Sequence, residues 1–60
     1  MTLRQFYVLT DELSLDTLVV VQSASGVLFK GPIKNMLDRL WGTVVRLYEV
    51  DGVSRIWVED

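Results

Sequence analysis

Val44-Val45-Arg46-Leu47-Tyr48-Glu49-Val50-Asp51-Gly52-Val53-Ser54-Arg55-Ile56-Trp57-Val58 decides the reading of this chain. Two runs rich in β-branched and aromatic residues flank an Asp-Gly pair. Asp-Gly marks a tight hairpin, because a type I′ turn needs positive φ at both central residues. With Asp51 and Gly52 as the turn, Val50 faces Val53, Glu49 faces Ser54 and Tyr48 faces Arg55. Leu47 then faces Ile56, Arg46 faces Trp57 and Val45 faces Val58. Side chains alternate across a strand, so these pairs divide between two faces. Val45, Leu47, Ile56 and Val58 form an aliphatic face, expected in the core. Arg46, Tyr48, Arg55 and Trp57 form a mixed face, expected outward, with Val50 and Val53 at the turn.

Upstream, Gly31-Pro32 stops a strand, and Ile33, Met36, Leu37, Leu40 and Trp41 follow at helical spacing. Lys34, Asp38 and Arg39 lie off that stripe. Pro32 suits a first helical turn, Asn35 is an alternative N-cap, and Gly42 is placed to end the helix in a left-handed conformation. Before this comes the most β-prone run, Thr17-Leu18-Val19-Val20-Val21-Gln22, apolar on both faces as a central strand requires. A turn at Ala24-Ser25-Gly26 returns the chain as Val27-Leu28-Phe29-Lys30. A three-residue loop puts Val19, Val21, Val27 and Phe29 on one face, taken as core, and Leu18, Val20, Gln22, Leu28 and Lys30 on the other. At the start, Thr2-Leu3-Arg4-Gln5 fits a capping box. Leu3, Phe6 and Tyr7 make one face of a helix over Leu3 to Leu9, which Val8 and Leu9 widen. Leu13 or Leu15 is expected to tuck back onto the core.

The element order is α-β-β-α-β-β in one small domain, residues 1–60. The class is α+β: two β-hairpins and two short helices, an antiparallel sheet with the helices packed on one face. The order of the strands is left open.

Sixty residues bury only about 60% of the surface that the unfolded chain exposes, so packing or association must supply stability. Half the residues are hydrophobic. That excess reads either as a patch for a partner or as a well-filled core. The longest apolar run, Leu18 to Val21, is far too short to span a bilayer. The opening Met-Thr-Leu-Arg-Gln-Phe lacks the pattern of a signal peptide. A cytoplasmic location, with no membrane contact, is the expectation.

With no cysteine and no histidine, the chain has neither a thiolate metal site nor the commonest general base. Ser14, Ser23, Ser25 and Ser54 have no histidine to activate them, and the four glycines are isolated at turns rather than gathered in a phosphate loop. The carboxylates Asp11, Glu12 and Asp16 fit a helix end and a strand start better than a cation site. Glu59 and Asp60 are an acidic chain end. These features argue against an enzyme and imply no cofactor and no metal.

The net charge is −2, against a nucleic-acid partner. Lys30, Lys34, Arg39 and Arg46 offset Asp38 in the middle block, as ordinary solvated charge or a basic edge. The chemistry that stands out is Arg46 opposite Trp57 and Tyr48 opposite Arg55. Arg and aromatic residues are enriched in interface hot spots, and the same set resembles a base-stacking platform for single-stranded nucleic acid. Arg stems covering rings are the preferred account of the pairs themselves, but an exposed Trp57 asks for a partner or a covering element. Trp41 reads as core or rim packing.

Asp16-Thr17 opening a strand, Gly26 in its turn, Phe29-Lys30-Gly31 closing the second strand, Met36 to Leu40, and the hairpin Val44 to Val58 together give a pattern. It resembles a loose group of small proteins of bacterial prophages and conjugative elements. The resemblance implies a cytoplasmic accessory protein of a mobile element and assigns no functional residues. The sequence therefore points first to a non-enzymatic interaction module that associates with itself, an unidentified protein, or both. Its alternative is a weak single-stranded nucleic-acid binder using Arg46, Tyr48, Arg55 and Trp57.

Overall fold

A computed structural model of the chain describes residues 1–59. Asp60, half of the acidic chain end, lies outside the described residues. The helix α1 spans Leu3–Leu9 and begins at the expected capping box. The Thr2 hydroxyl accepts from the Gln5 amide at 3.2 Å, and the Gln5 side-chain oxygen accepts from the Thr2 amide at 2.8 Å. Leu3 is buried, while Phe6 and Tyr7 are half-buried against the core. Val8 and Leu9 do not widen the stripe; they are exposed. At about 100° per residue they rotate away from the face that Leu3, Phe6 and Tyr7 share. Leu13 is the residue that turns back into the core, and Leu15 stays exposed.

Four strands, β1 (Leu18–Ser23), β2 (Gly26–Pro32), β3 (Val45–Val50) and β4 (Ser54–Val58), form one sheet in the order β2-β1-β4-β3. The two hairpins are antiparallel, as expected, but their inner strands β1 and β4 run parallel. The sheet is therefore mixed rather than antiparallel. The route of the chain explains this. After β2, residues 33–44 carry it across the helix-bearing face to the far edge, where β3 begins in the direction of β2. A connection between parallel strands needs roughly a dozen residues.

That crossing also explains why the second α-helix does not form. Ile33–Asn35 and Asp38–Gly42 are separate 3₁₀ turns, with Met36 and Leu37 extended between them. A continuous α-helix over residues 33–41 advances about 13 Å at 1.5 Å per residue. Two 3₁₀ turns joined by extended residues reach on the order of 20 Å, near the length of a strand. The apolar stripe keeps most of its function: Ile33, Met36 and Leu40 are buried and Trp41 is half-buried, but Leu37 is exposed. Gly42 belongs to the second turn and has no positive φ, so it is not a left-handed cap. The Ile33 and Lys34 amides, which lack partners within their own turn, donate to Thr17 and Leu15 carbonyls at 3.0 and 2.9 Å.

In the first hairpin the loop is Ala24-Ser25, and Ser23 pairs with Gly26. Val21 faces Phe29 but Gln22 faces Val27, which leaves Leu28 as a bulge residue. Val19, Val21 and Phe29 lie on the core face as expected, and Val27 moves to the opposite face with Gln22. Gly31, with φ at 153°, has the Phe29 ring over it, 3.4 Å from where a Cβ would stand.

The second hairpin departs from its expected register. In this turn only Gly52 takes a positive φ, 72°, and no non-glycine residue among the described residues does. Asp51 therefore does not enter a type I′ turn, and the loop lengthens to Asp51-Gly52-Val53, closed by the Asp51 amide donating to the Val53 carbonyl at 3.0 Å. Val50 now pairs with Ser54, Glu49 with Arg55, Tyr48 with Ile56 and Leu47 with Trp57. A slip of one residue exchanges the faces of β3. Leu47, expected in the core, is 50% exposed, while Tyr48, expected outward, packs on Phe6 with ring centroids 5.0 Å apart. Arg46 is a second bulge that absorbs the slip, so Val45 meets Val58 as expected.

The core thus lies between one face of the sheet and the helical elements. It gathers Leu3, Leu13, Val19, Val21, Ile33, Met36, Leu40, Ile56 and Val58. Tyr7 and Trp41 close its rim edge-to-face at 5.6 Å, and the Arg4 guanidinium sits over Trp41 at 5.8 Å.

Candidate functional site

Among the described residues no helix lies over the opposite face of the sheet, and strand register sets out its side chains in rows. One row runs Val27, Gln22, Trp57, Leu47 from β2 to β3. The next runs Lys30, Val20, Arg55, Glu49. Pro32 and Leu18 begin a third. Leu18, Val27 and Leu47 are 63%, 58% and 50% exposed, which is unusual for three aliphatic residues on one face. Val20 is buried, flanked by the long stems of Lys30 and Arg55.

The structure separates the four residues that the sequence grouped. Arg55 and Trp57 are half-buried neighbours on the uncovered face. Arg55 Nη1 donates to Gln22 Oε1 at 2.8 Å, which fixes the guanidinium along the sheet. Tyr48 is on the core face, its hydroxyl 3.5 Å from Ser54 Oγ. Arg46, in the bulge, pairs with Glu59 at 3.2 Å in an exposed bridge worth little to stability. Neither expected cross-strand pair exists: Trp57 opposes Leu47, and Arg55 opposes Glu49.

Trp57 is the centre of the face. Beside it lies an open depression lined by Ala24, Arg46, Leu47, Trp57, Val58 and Glu59. Its indole Nε1 is closed off from solvent and meets no acceptor. A buried donor left unpaired costs about 1–3 kcal/mol.

Sequence reasoning placed Leu18 on the outward face, where it lies, but missed Val27 and Leu47 as surface residues. The available signal was that Leu18 to Val21 is apolar on both sides: β1 is indeed central, and only one of its faces is covered by helix. A second exposed apolar group, Met1, Val8 and Leu9, lies on the outer side of α1 beside Arg4 and Gln5. Asp11, Glu12 and Asp16 gather no cation site: among the described residues no group of three His, Cys, Asp or Glu side chains is so placed, and Asp16 pairs with Lys34 at 3.2 Å. No described helix is long and apolar enough to cross a membrane. No family model, curated protein or solved structure matches the chain.

Proposed function

We propose that this chain is a non-enzymatic protein-interaction module that self-associates through its uncovered sheet face. The observation that carries the reading is that Leu18, Val27 and Leu47 are exposed around a half-buried Trp57, on a face that no described helix covers. Apolar side chains in that arrangement gain by leaving water, at about 25 cal/mol per Å² of area buried. The resemblance to small proteins of prophages and conjugative elements supports an accessory role in a mobile element. Phage or conjugation genes beside its own are the expected neighbourhood, and an invariant metabolic operon counts against that role.

The nucleic-acid alternative gains no support from the arrangement. It needs Arg46, Tyr48, Arg55 and Trp57 on one surface, and Tyr48 is turned inward onto Phe6.

Sedimentation velocity across tens to hundreds of micromolar tests the reading. Mass should rise above the 6.9 kDa monomer with concentration. Trp57→Ala should weaken that association more than it lowers the stability of the monomer. A chain that stays monomeric throughout the range refutes self-association.

A further inference from the structure

We infer that the partner on this face is a second copy of the chain, stacked sheet on sheet about a two-fold axis that runs along the strands between β1 and β4. The inference rests on the self-association just proposed and adds its geometry and the charges that fix it.

Edges and face are the two ways for a second copy to bind. Both edges are guarded. The β2 edge carries the Leu28 bulge and ends in Pro32, which has no amide to donate. On the β3 side, Met1 to Leu3 already occupy the chain entering the strand. The Val45 amide donates to the Met1 carbonyl and the Leu3 amide to the Thr43 carbonyl, both at 2.8 Å, and the Arg46 bulge follows. The face remains.

Symmetry then selects the orientation. An axis along the strands exchanges β1 with β4 and β2 with β3 and keeps each row opposite itself. Trp57 of one copy lies over Gln22 of the other, and Val27 over Leu47, so the apolar row closes on itself. In the middle row, Lys30 lies over Glu49 and Val20 over Arg55. Lys30 and Glu49 stand on opposite edge strands, too far apart to pair within one chain, and neither joins an ion pair among the described residues. The two-fold converts them into two reciprocal bridges. An axis across the strands instead sets Lys30 on Lys30 and Glu49 on Glu49, like on like. Stacked sheets lie about 10 Å apart, a gap that Lys and Glu stems span from the two sides. Four strands about 4.8 Å apart, with about five residues each, make a face on the order of 20 Å by 17 Å. By that outline two such faces bury roughly 700 Å², in the range of weak, transient interfaces, so the dimer is a weak one and its charges decide the orientation.

Charge reversal tests this. Lys30→Glu and Glu49→Lys each place like charges at both bridges, and each should weaken self-association by about tenfold or more. An equimolar mixture of the two variants faces opposite charges at both bridges again, so it should associate as tightly as wild type. The double variant carrying both substitutions in one chain should do the same. Both positions are exposed, and circular dichroism of each variant checks that the fold is kept. If wild type associates while single reversals do not weaken it, or the mixture does not recover, the two-fold arrangement is wrong and self-association stands. If wild type never associates, the underlying reading falls, and this inference with it.

Discussion

Truncating Ile56 and Leu47 in parallel separates the observed register of the last hairpin from the one a two-residue turn imposes. Ile56 is fully buried, facing Tyr48 on one side and Val21 on the other. Ile56→Ala removes three carbon atoms from a packed interior, about 2.4 kcal/mol in transfer at 0.8 per methylene. The unfilled cavity adds to this, which places the total at about 2–5 kcal/mol. At 0.05–0.15 kcal/mol per residue, a chain of this length has roughly 3–9 kcal/mol in all, so the variant should be largely unfolded or close to it. Leu47 is half exposed and leaves no enclosed cavity. Leu47→Ala should cost about 1 kcal/mol. Urea titration followed by circular dichroism reads both, at concentrations low enough to keep association out of the baseline. With a slope near 1 kcal/mol/M, Leu47→Ala moves the midpoint by about 1 M and Ile56→Ala by two or more. Equal losses at the two positions would falsify the observed register, because Leu47 would then have to face the core.

Gly52, at φ 72°, should tolerate Asn but lose about 1–2 kcal/mol as Ala, seen as a lower thermal midpoint. Thr2→Ala removes half of the capping box and should cost about 0.5–2 kcal/mol, with Thr2→Ser close to neutral in the same melt. Tyr48→Phe should leave stability within about 1 kcal/mol, because its ring packs on Phe6 while its hydroxyl makes only a 3.5 Å contact; a larger loss by chemical denaturation would show that the hydroxyl matters.

What could be read in the sequence followed the range over which its causes act. The capping box of α1 is a contact between residues three apart, and it was legible. So was the core side of β1, because Val19 and Val21 alternate with residues that face away. The hairpin between β3 and β4 was legible as a hairpin. Its register was not, since that turned on whether Asp51 would accept a positive φ, a difference of about 1–2 kcal/mol at one residue. The site inherited this error: Tyr48 and Leu47 exchanged faces, and an Arg–aromatic cluster became an aliphatic row around Trp57. The stripe Ile33, Met36, Leu37, Leu40, Trp41 marked the buried residues of its segment except Leu37, which is exposed, but not their conformation. The distance to be crossed from β2 to β3 is a tertiary quantity, and no local periodicity carries it.

The parallel pairing of β1 and β4 bears most directly on how so small a chain is stabilised. Setting two hairpins side by side with inner strands parallel commits the whole connection between them to one face. The connection and α1 then bury Leu3, Ile33, Met36 and Leu40 together there, and no described helix lies over the other face. Half the residues are hydrophobic, and those that the single core cannot take emerge at Leu18, Val27, Leu47 and beside Trp57. A domain of this size buries too little surface to be more than marginally stable alone. Whatever covers that face adds its binding energy to the folded state and not to the unfolded one. In the two-fold arrangement proposed here, folding and association are therefore linked, and a substitution at Trp57 or Leu47 lowers apparent stability further as the dimer population grows, beyond its cost to the monomer.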